Sequence, residues 1–175
     1  LANTLRGTLL WHEIKQAWEN GAALAGCSAG AMVLTEQFTV PTLRFPTVQG
    51  VGLLPHLKVI PHFDRFFAKM PDFVSKFIKS PKGVTLLGID EETAVVGGPL
   101  EWEVYGRQSA WLFVAGVKKE FKSSHIDPGR GIKGSINIDK NQCENGDKHH
   151  LGNNGRFILQ IIGNLIEYDL QPIHQ

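Results

Sequence analysis

The chain has 175 residues, of which 42% are hydrophobic and 20% charged, and its formal net charge is +1 at pH 7. This size and composition predict a single globular domain over residues 1–175 with a substantial core. The near-neutral charge argues against a protein that binds nucleic acid or an anionic membrane. No apolar run approaches the roughly twenty residues of a membrane-spanning helix.

The first elements predicted along the chain are a helix, a short strand and a second helix. Apolar residues recur at near-helical spacing from Leu5 to Asn20, and Asn20-Gly21 is a typical helix end. The run Ala22–Gly26 is typical of a buried strand, and Ala29–Thr35 of a helix. The segment Thr39–Leu54 is rich in Pro, Gly and Thr and predicts a long loop with short strands. Such loops often shape a substrate pocket.

A motif of small residues, Gly26-Cys27-Ser28-Ala29-Gly30-Ala31, lies between that strand and the second helix. In a G-x-S-x-G turn of this kind the serine is lifted above the sheet edge. We expect both glycines to lie where side chains would collide with the crossing strand and helix. Because the glycines flank Ser28 symmetrically, we interpret Ser28 as a nucleophile and the off-centre Cys27 as a packing residue. The alternative is a helix N-terminus that carries a serine without chemistry.

The middle of the chain predicts strands alternating with a helix. Leu57–Ile60 is typical of a short strand, and Phe63–Lys79 has the apolar face of a helix that Pro71 divides. Three further apolar runs predict a meander after a strand at Val84–Ile89: Thr93–Val96, Trp102–Tyr105 and Ala110–Val114.

The last third of the chain predicts little regular structure before a final helix. Residues from Lys118 to Gly155 are polar and without period, whereas Phe157–Tyr168 has apolar residues at helical spacing. The polar stretch contains several metal-ligand residue types, but no spacing typical of a metal site, so we predict a solvated loop and no metal. These residues are His125, Asp127, His149 and His150.

Polar residues that could assist a serine follow two other predicted strands. Strands alternating with helices predict a parallel sheet covered on both faces, and sites in such sheets lie beyond the carboxyl ends of the strands. Ser28 and His62 hold this position, and His62 could accept the serine proton. The acid that orients the histidine has four candidates, of which Asp64 is so near His62 that we expect it to cap the following helix. The candidates are Asp64, Asp90, Glu91 and Glu92.

Three stretches carry a resemblance to a known family: the motif at residues 26–31, Pro61-His62-Phe63-Asp64, and Gly88-Ile89-Asp90-Glu91-Glu92-Thr93-Ala94. A weaker fourth is Tyr105-Gly106-Arg107-Gln108-Ser109-Ala110-Trp111. In their order and spacing, over about residues 1–116, they resemble the peptidase E and cyanophycinase family of serine peptidases. The resemblance implies a three-layer αβα fold with a mostly parallel central sheet, similar to class I glutamine amidotransferases and flavodoxin-like.

The resemblance also implies the chemistry of the site. It implies Ser28 as nucleophile, His62 as base and Glu91 as the orienting acid, acting through an acyl-enzyme, and it leaves Asp90 and Glu92 as solvated turn residues. Elbow geometry makes the backbone N–H of Ala29 one oxyanion donor. The family's second donor lies in a glycine-rich loop before the first helix. The resemblance therefore predicts a chain truncated at its N-terminus, with part of the N-terminal half missing.

The expected substrate is a small peptide, with N-terminal or β-linked aspartate as family members prefer. An aspartyl side chain needs a cation in the pocket, and the candidates by position are Arg44, Arg65 and Arg107. We expect no cofactor, no nucleic acid and no membrane partner, and we keep a homodimer as a candidate assembly. A catalytically inactive or non-peptidase binding domain is the alternative function.

The cysteines favour a cytoplasmic location. The two cysteines, Cys27 and Cys143, allow one disulfide at most. A cysteine inside a nucleophile turn is a poor candidate for such a bond, which favours a reducing compartment.

Overall fold

A computed structural model of the chain describes residues 1–40, 46–65, 83–98, 100–114, 117–122, 135–138 and 156–161. Helices lie at Ala2–Leu5 (α1), Leu9–Glu19 (α2) and Ala29–Val33 (α3), and residues 63–65 form a helical turn. The strands are, in chain order, Leu24–Cys27 (β1), Gln37–Thr39 (β2), Thr47–Gln49 (β3), Leu57–Pro61 (β4), Thr85–Ile89 (β5), Thr93–Gly97 (β6), Glu101–Gly106 (β7), Ser109–Val114 (β8), Val117–Lys122 (β9), Ser135–Asn137 (β10) and Phe157–Ile161 (β11). Within the described ranges, no helix is long and apolar enough to cross a membrane.

The strands of the described residues form two larger sheets and a ribbon. One sheet has the order β1-β11-β6-β7-β10, the second has the order β4-β5-β8-β9, and β2 pairs with β3. The pairs β1–β11 and β4–β5 are parallel, and the other strand pairs are antiparallel. The predicted α/β class is confirmed, but the sheets are mixed instead of mostly parallel. Part of the cause lies in the hairpins β6–β7 and β8–β9, since strands joined by a short turn pair antiparallel.

The segment predicted to begin a final helix is a strand. Phe157–Ile161 forms β11 and lies between β1 and β6, with Phe157 and Leu159 fully buried. A short, continuous apolar run fits a buried strand and a buried helix equally well, so its periodicity was not decisive. The rest of that predicted helix, at 162–168, lies outside the described residues, as does the other predicted helix beyond residue 65.

Two strands occur where the sequence shows no period. β9 pairs with β8, and β10 pairs with β7. The side chains of β9 are mostly exposed at the edge of its sheet, so no alternation of apolar residues marks this strand. The short strands predicted within Thr39–Leu54 are confirmed by β3.

One hydrophobic core joins the two larger sheets. Its buried residues come from both of them and include Val59, Leu87, Ile89 and Leu112 from one sheet and Val95, Trp102, Phe157 and Leu159 from the other. From α2, Trp18 packs on this core, with its ring centroid 5.0 Å from that of Phe157. α3 packs against both β1 and β4. These contacts hold the carboxyl ends of β1, β4 and β5 in one region, and the predicted site residues follow those ends.

Candidate active site

Ser28 lies in a strained turn between β1 and α3. Its backbone angles are φ 50° and ψ −110°, a region that residues other than glycine rarely adopt. Holding such a conformation costs about 1–3 kcal/mol and is common at functional sites. The strand ends at Cys27 and the helix begins at Ala29, so the serine side chain stands at the carboxyl end of β1. This is the turn that the motif predicts.

The close crossing of β1 and α3 requires Gly26 but not Gly30. A Cβ at Gly26 would lie 2.8 Å from the backbone C and O atoms of Gly30 and 2.9 Å from the backbone N of Ala31. A Cβ at Gly30 would have nothing within 4 Å in the described structure. The predicted collision is confirmed for Gly26 and is wrong for Gly30, whose Cβ position is open.

Alanine at these two positions should therefore have opposite effects on stability. We expect Gly26→Ala to lower the free energy of unfolding by about 1–3 kcal/mol, because the backbone of α3 must move away. Gly30→Ala should leave stability unchanged or raise it by up to about 1 kcal/mol, since alanine favours a helix. Urea unfolding of the two variants measures the difference. Equal destabilisation by both would contradict the close crossing at Gly26.

Cys27 is exposed, so the prediction that it packs is wrong. Side chains alternate along a strand, and Gly26 faces α3. Ala25 and Cys27 therefore lie on the opposite face of β1, and both residues are exposed. An accessible thiol thus immediately precedes Ser28.

His62 and Glu91 follow two neighbouring parallel strands. β4 ends at Pro61 and β5 at Ile89, and these two residues are partners in the register. The residues beyond them consequently lie side by side, with His62 Nδ1 3.3 Å from Glu91 Oε1. On its other side, His62 Nε2 lies 2.6 Å from Ser28 Oγ. The structure thus brings together the three residues that the family resemblance implies.

This arrangement is suited to proton transfer. When Nδ1 of His62 carries the ring proton it donates to Glu91, and Nε2 can then accept the hydroxyl proton of Ser28. The Glu91 side chain is 12% exposed, so water screens its charge only weakly. A carboxylate in this position stabilises the imidazolium that forms when the histidine takes a proton.

The second carboxylate oxygen of Glu91 has a different partner. Arg65 Nη2 lies 2.7 Å from Glu91 Oε2, and the Arg65 side chain is 55% exposed. Arg107 Nη1 lies 3.5 Å from Glu92 Oε2, at the surface. Arg44 lies outside the described residues. A substrate-binding role for any of the three arginines stays a prediction.

Asp90 is buried, so the prediction of a solvated turn residue is wrong. It is 4% exposed, and its carboxylate accepts hydrogen bonds from Trp111 Nε1 at 2.9 and 3.0 Å and from the Ser109 N–H at 3.2 Å. Burial raises the pKa of the Asp90 carboxyl, as the nearby charge of Asp64 does to a smaller extent, and hydrogen bonds from Trp111 and Ser109 oppose that rise. Asp90 thus ties the end of β5 to β8, directly before Glu91. The signal in the sequence is Trp111, whose indole N–H needs an acceptor within an apolar strand.

Asp64 also has a partner that the sequence did not indicate. Its Oδ1 accepts the backbone N–H of Glu91 at 3.1 Å. Asp64 lies inside the helical turn at 63–65, so the prediction that it caps the following helix is wrong. Glu92 does lie in a turn, with φ 56°.

The described residues include histidines, one cysteine and several acidic side chains. Among them, no group of three His, Cys, Asp or Glu side chains is placed to hold a metal ion. His125, Asp127, His149 and His150 lie outside the described residues.

Comparison with known proteins relates this chain to peptidases. The chain is similar to a peptidase from an acI-B1 Actinobacterium of known crystal structure, at 35% identity and a TM-score of 0.62. The similarity covers 78% of this chain and 54% of that peptidase, so the chain spans about half of its length. A search of curated proteins gave no match. Residues 1–98, more than half of the chain, match the model of peptidase family S51. The chain therefore belongs to peptidase family S51.

Proposed function

We propose that this chain carries the catalytic triad of a serine peptidase, with Ser28 as nucleophile, His62 as base and Glu91 as orienting acid. The observation that carries the proposal is the line of contacts from Ser28 Oγ to His62 Nε2, at 2.6 Å, and from His62 Nδ1 to Glu91 Oε1, at 3.3 Å. Membership of peptidase family S51 supports it. We also propose that the fold of this chain is similar to that of class I glutamine amidotransferases.

The proposed reaction proceeds through an acyl-enzyme. Ser28 Oγ attacks the peptide carbonyl carbon while His62 Nε2 takes the hydroxyl proton. When the tetrahedral intermediate collapses, the C–N bond breaks, and His62 delivers the proton to the leaving amine. A water molecule, deprotonated by His62, then attacks the ester and releases the acid, which restores the Ser28 hydroxyl.

The negative oxygen of the tetrahedral intermediate needs preorganised donors. Ala29 is the first residue of α3, and backbone N–H groups in the first turn of a helix have no acceptor within the helix. Its N–H also directly follows the nucleophile, where this type of turn supplies an oxyanion donor. We therefore assign the Ala29 N–H to the oxyanion hole.

The proposed substrates are small peptides with an N-terminal or β-linked aspartate. The supporting feature is the cation beside the triad, since Arg65 contacts the same carboxylate as His62. A guanidinium has five N–H donors, and the Arg65 side chain is more than half exposed, so it can also face a substrate carboxylate.

A binding domain without catalysis is the alternative, and the geometry argues against it. That alternative predicts a His62 too far from Ser28 for a hydrogen bond. The distance of 2.6 Å meets the requirement for a general base.

Hydrolysis of paired dipeptides tests the function and the specificity separately. We expect the purified protein to hydrolyse Asp-Leu faster than its neutral isostere Asn-Leu, with Ser28→Ala as the control for contaminating peptidases. Equal rates for the two dipeptides would contradict the aspartate specificity alone. The peptidase proposal itself would fail if the folded protein neither hydrolysed any member of a dipeptide panel nor reacted with a fluorophosphonate.

A further inference from the structure

An acidic residue connects the loops that carry His62 and Glu91. Asp64 follows His62 by two residues, and Asp90 directly precedes Glu91. The Asp64 carboxylate accepts the N–H of Glu91 at 3.1 Å. The loop that carries Glu91 therefore supplies an N–H to a carboxylate of the loop that carries His62.

The loop that carries Glu91 is also anchored to the sheet. Asp90 donates its N–H to the Ser109 carbonyl at 3.1 Å, and its carboxylate accepts from Ser109 and Trp111 of β8. The carbonyl of Glu91 accepts the Thr93 hydroxyl at 3.2 Å. The Glu91 backbone is thus held at its carbonyl by Thr93, the first residue of β6, and at its N–H by Asp64.

The loop that carries His62 is anchored through Phe63. This side chain is 1% exposed, and its ring centroid lies 5.7 Å from that of Trp111 and 5.4 Å from that of Phe113. It packs so closely on β5 that a Cβ at Gly88 would lie 2.7 Å from its Cγ. Because Phe63 is fixed in the core, its neighbour Asp64 offers the Glu91 N–H an acceptor at a defined position.

We propose that Asp64 is a positioning residue, which sets the Glu91 carboxylate against His62 Nδ1 by holding the Glu91 backbone. This inference rests on the proposed function, because it assigns Asp64 a part in that triad. The role requires an acceptor oxygen and no negative charge. Asparagine, which keeps an oxygen at the same position, should therefore replace Asp64, whereas alanine should not.

Activity of the two variants tests this requirement. We expect Asp64→Ala to lower kcat about 10- to 100-fold, because a misplaced Glu91 no longer orients His62. KM should stay within about twofold, since no substrate contact is removed. Asp64→Asn should keep kcat within about threefold of the wild type. Loss of activity in Asp64→Asn equal to that in Asp64→Ala would overturn the proposal, as would full activity in Asp64→Ala.

A proton NMR signal gives a readout that does not depend on turnover. The Nδ1–H of His62, hydrogen-bonded to Glu91, should give a downfield resonance in the wild type and in Asp64→Asn, and it should broaden or disappear in Asp64→Ala. An unchanged resonance in Asp64→Ala would contradict the positioning role. If the wild type showed the resonance without peptidase activity, the proposed function would fail, and the spectra of the variants would still decide the role of Asp64. Asp64→Leu, similar in volume and without an acceptor, replaces Asp64→Ala if that variant does not fold.

Discussion

Replacing Ser28 with alanine is expected to lower kcat/KM for peptide hydrolysis by about 10⁴- to 10⁶-fold. The variant keeps the strained turn and the contact between His62 and Glu91, but it has no oxygen that can form the acyl-enzyme. Covalent labelling by a fluorophosphonate should disappear for the same reason. Steady-state hydrolysis and labelling of the intact protein measure the two effects.

Cys27→Ala is the matched control for Ser28→Ala. Cys27 is adjacent in sequence and is an exposed thiol on the face of β1 opposite to α3. We expect this variant to hydrolyse peptides and to be labelled as the wild type is. A loss of activity in Cys27→Ala with retention in Ser28→Ala would move the nucleophile to the cysteine.

Replacing Glu91 with glutamine is expected to lower kcat by about 10²- to 10⁴-fold. Arg65 only donates hydrogen bonds, so the amide oxygen of the new side chain should turn towards Arg65 Nη2. The amide NH₂ then faces His62 Nδ1, which has to accept and not donate. The ring proton moves to Nε2, and His62 in this tautomer cannot take the proton of Ser28. The kcat of the variant measures the cost of the wrong tautomer.

Glu92→Gln controls for the loss of a carboxylate in the same turn. Glu92 pairs with Arg107 at the surface, at 3.5 Å, and such exposed pairs contribute about 0–1 kcal/mol to stability. We expect its kcat to stay within about twofold of the wild type. If Glu91→Gln and Glu92→Gln lowered kcat equally, the selection of Glu91 as the orienting acid would be wrong.

The parts of the fold that local patterns determine were predicted from the sequence. The strand, turn and helix around Ser28 follow from small residues at fixed spacing, and β4 and β5 follow from short apolar runs. β11 was missed because its strand partners, β1 and β6, are far away in sequence. A run as short as these five mostly apolar residues does not distinguish a strand from a helix. β9 was missed because an exposed edge strand needs no apolar pattern.

The candidate site was predictable where a residue follows a strand. Ser28 and His62 stand at strand ends, and their contact is consistent with that position. The choice of Glu91 among three consecutive acids depended on the family resemblance, since composition treats them alike. The burial of Asp90 was missed, because its donors come from β8, about twenty residues further along the chain, and the indole of Trp111 signals only that some acceptor is needed.

The identity of the nucleophile is tested most directly by locating a fluorophosphonate adduct. The protein is labelled and digested, and fragmentation mass spectrometry of the peptide that contains Cys27 and Ser28 identifies the modified atom. We predict a single adduct on Ser28 Oγ, which His62 activates at 2.6 Å. An adduct on Cys27 or on any other residue, with Ser28 unmodified, would contradict the proposed peptidase mechanism.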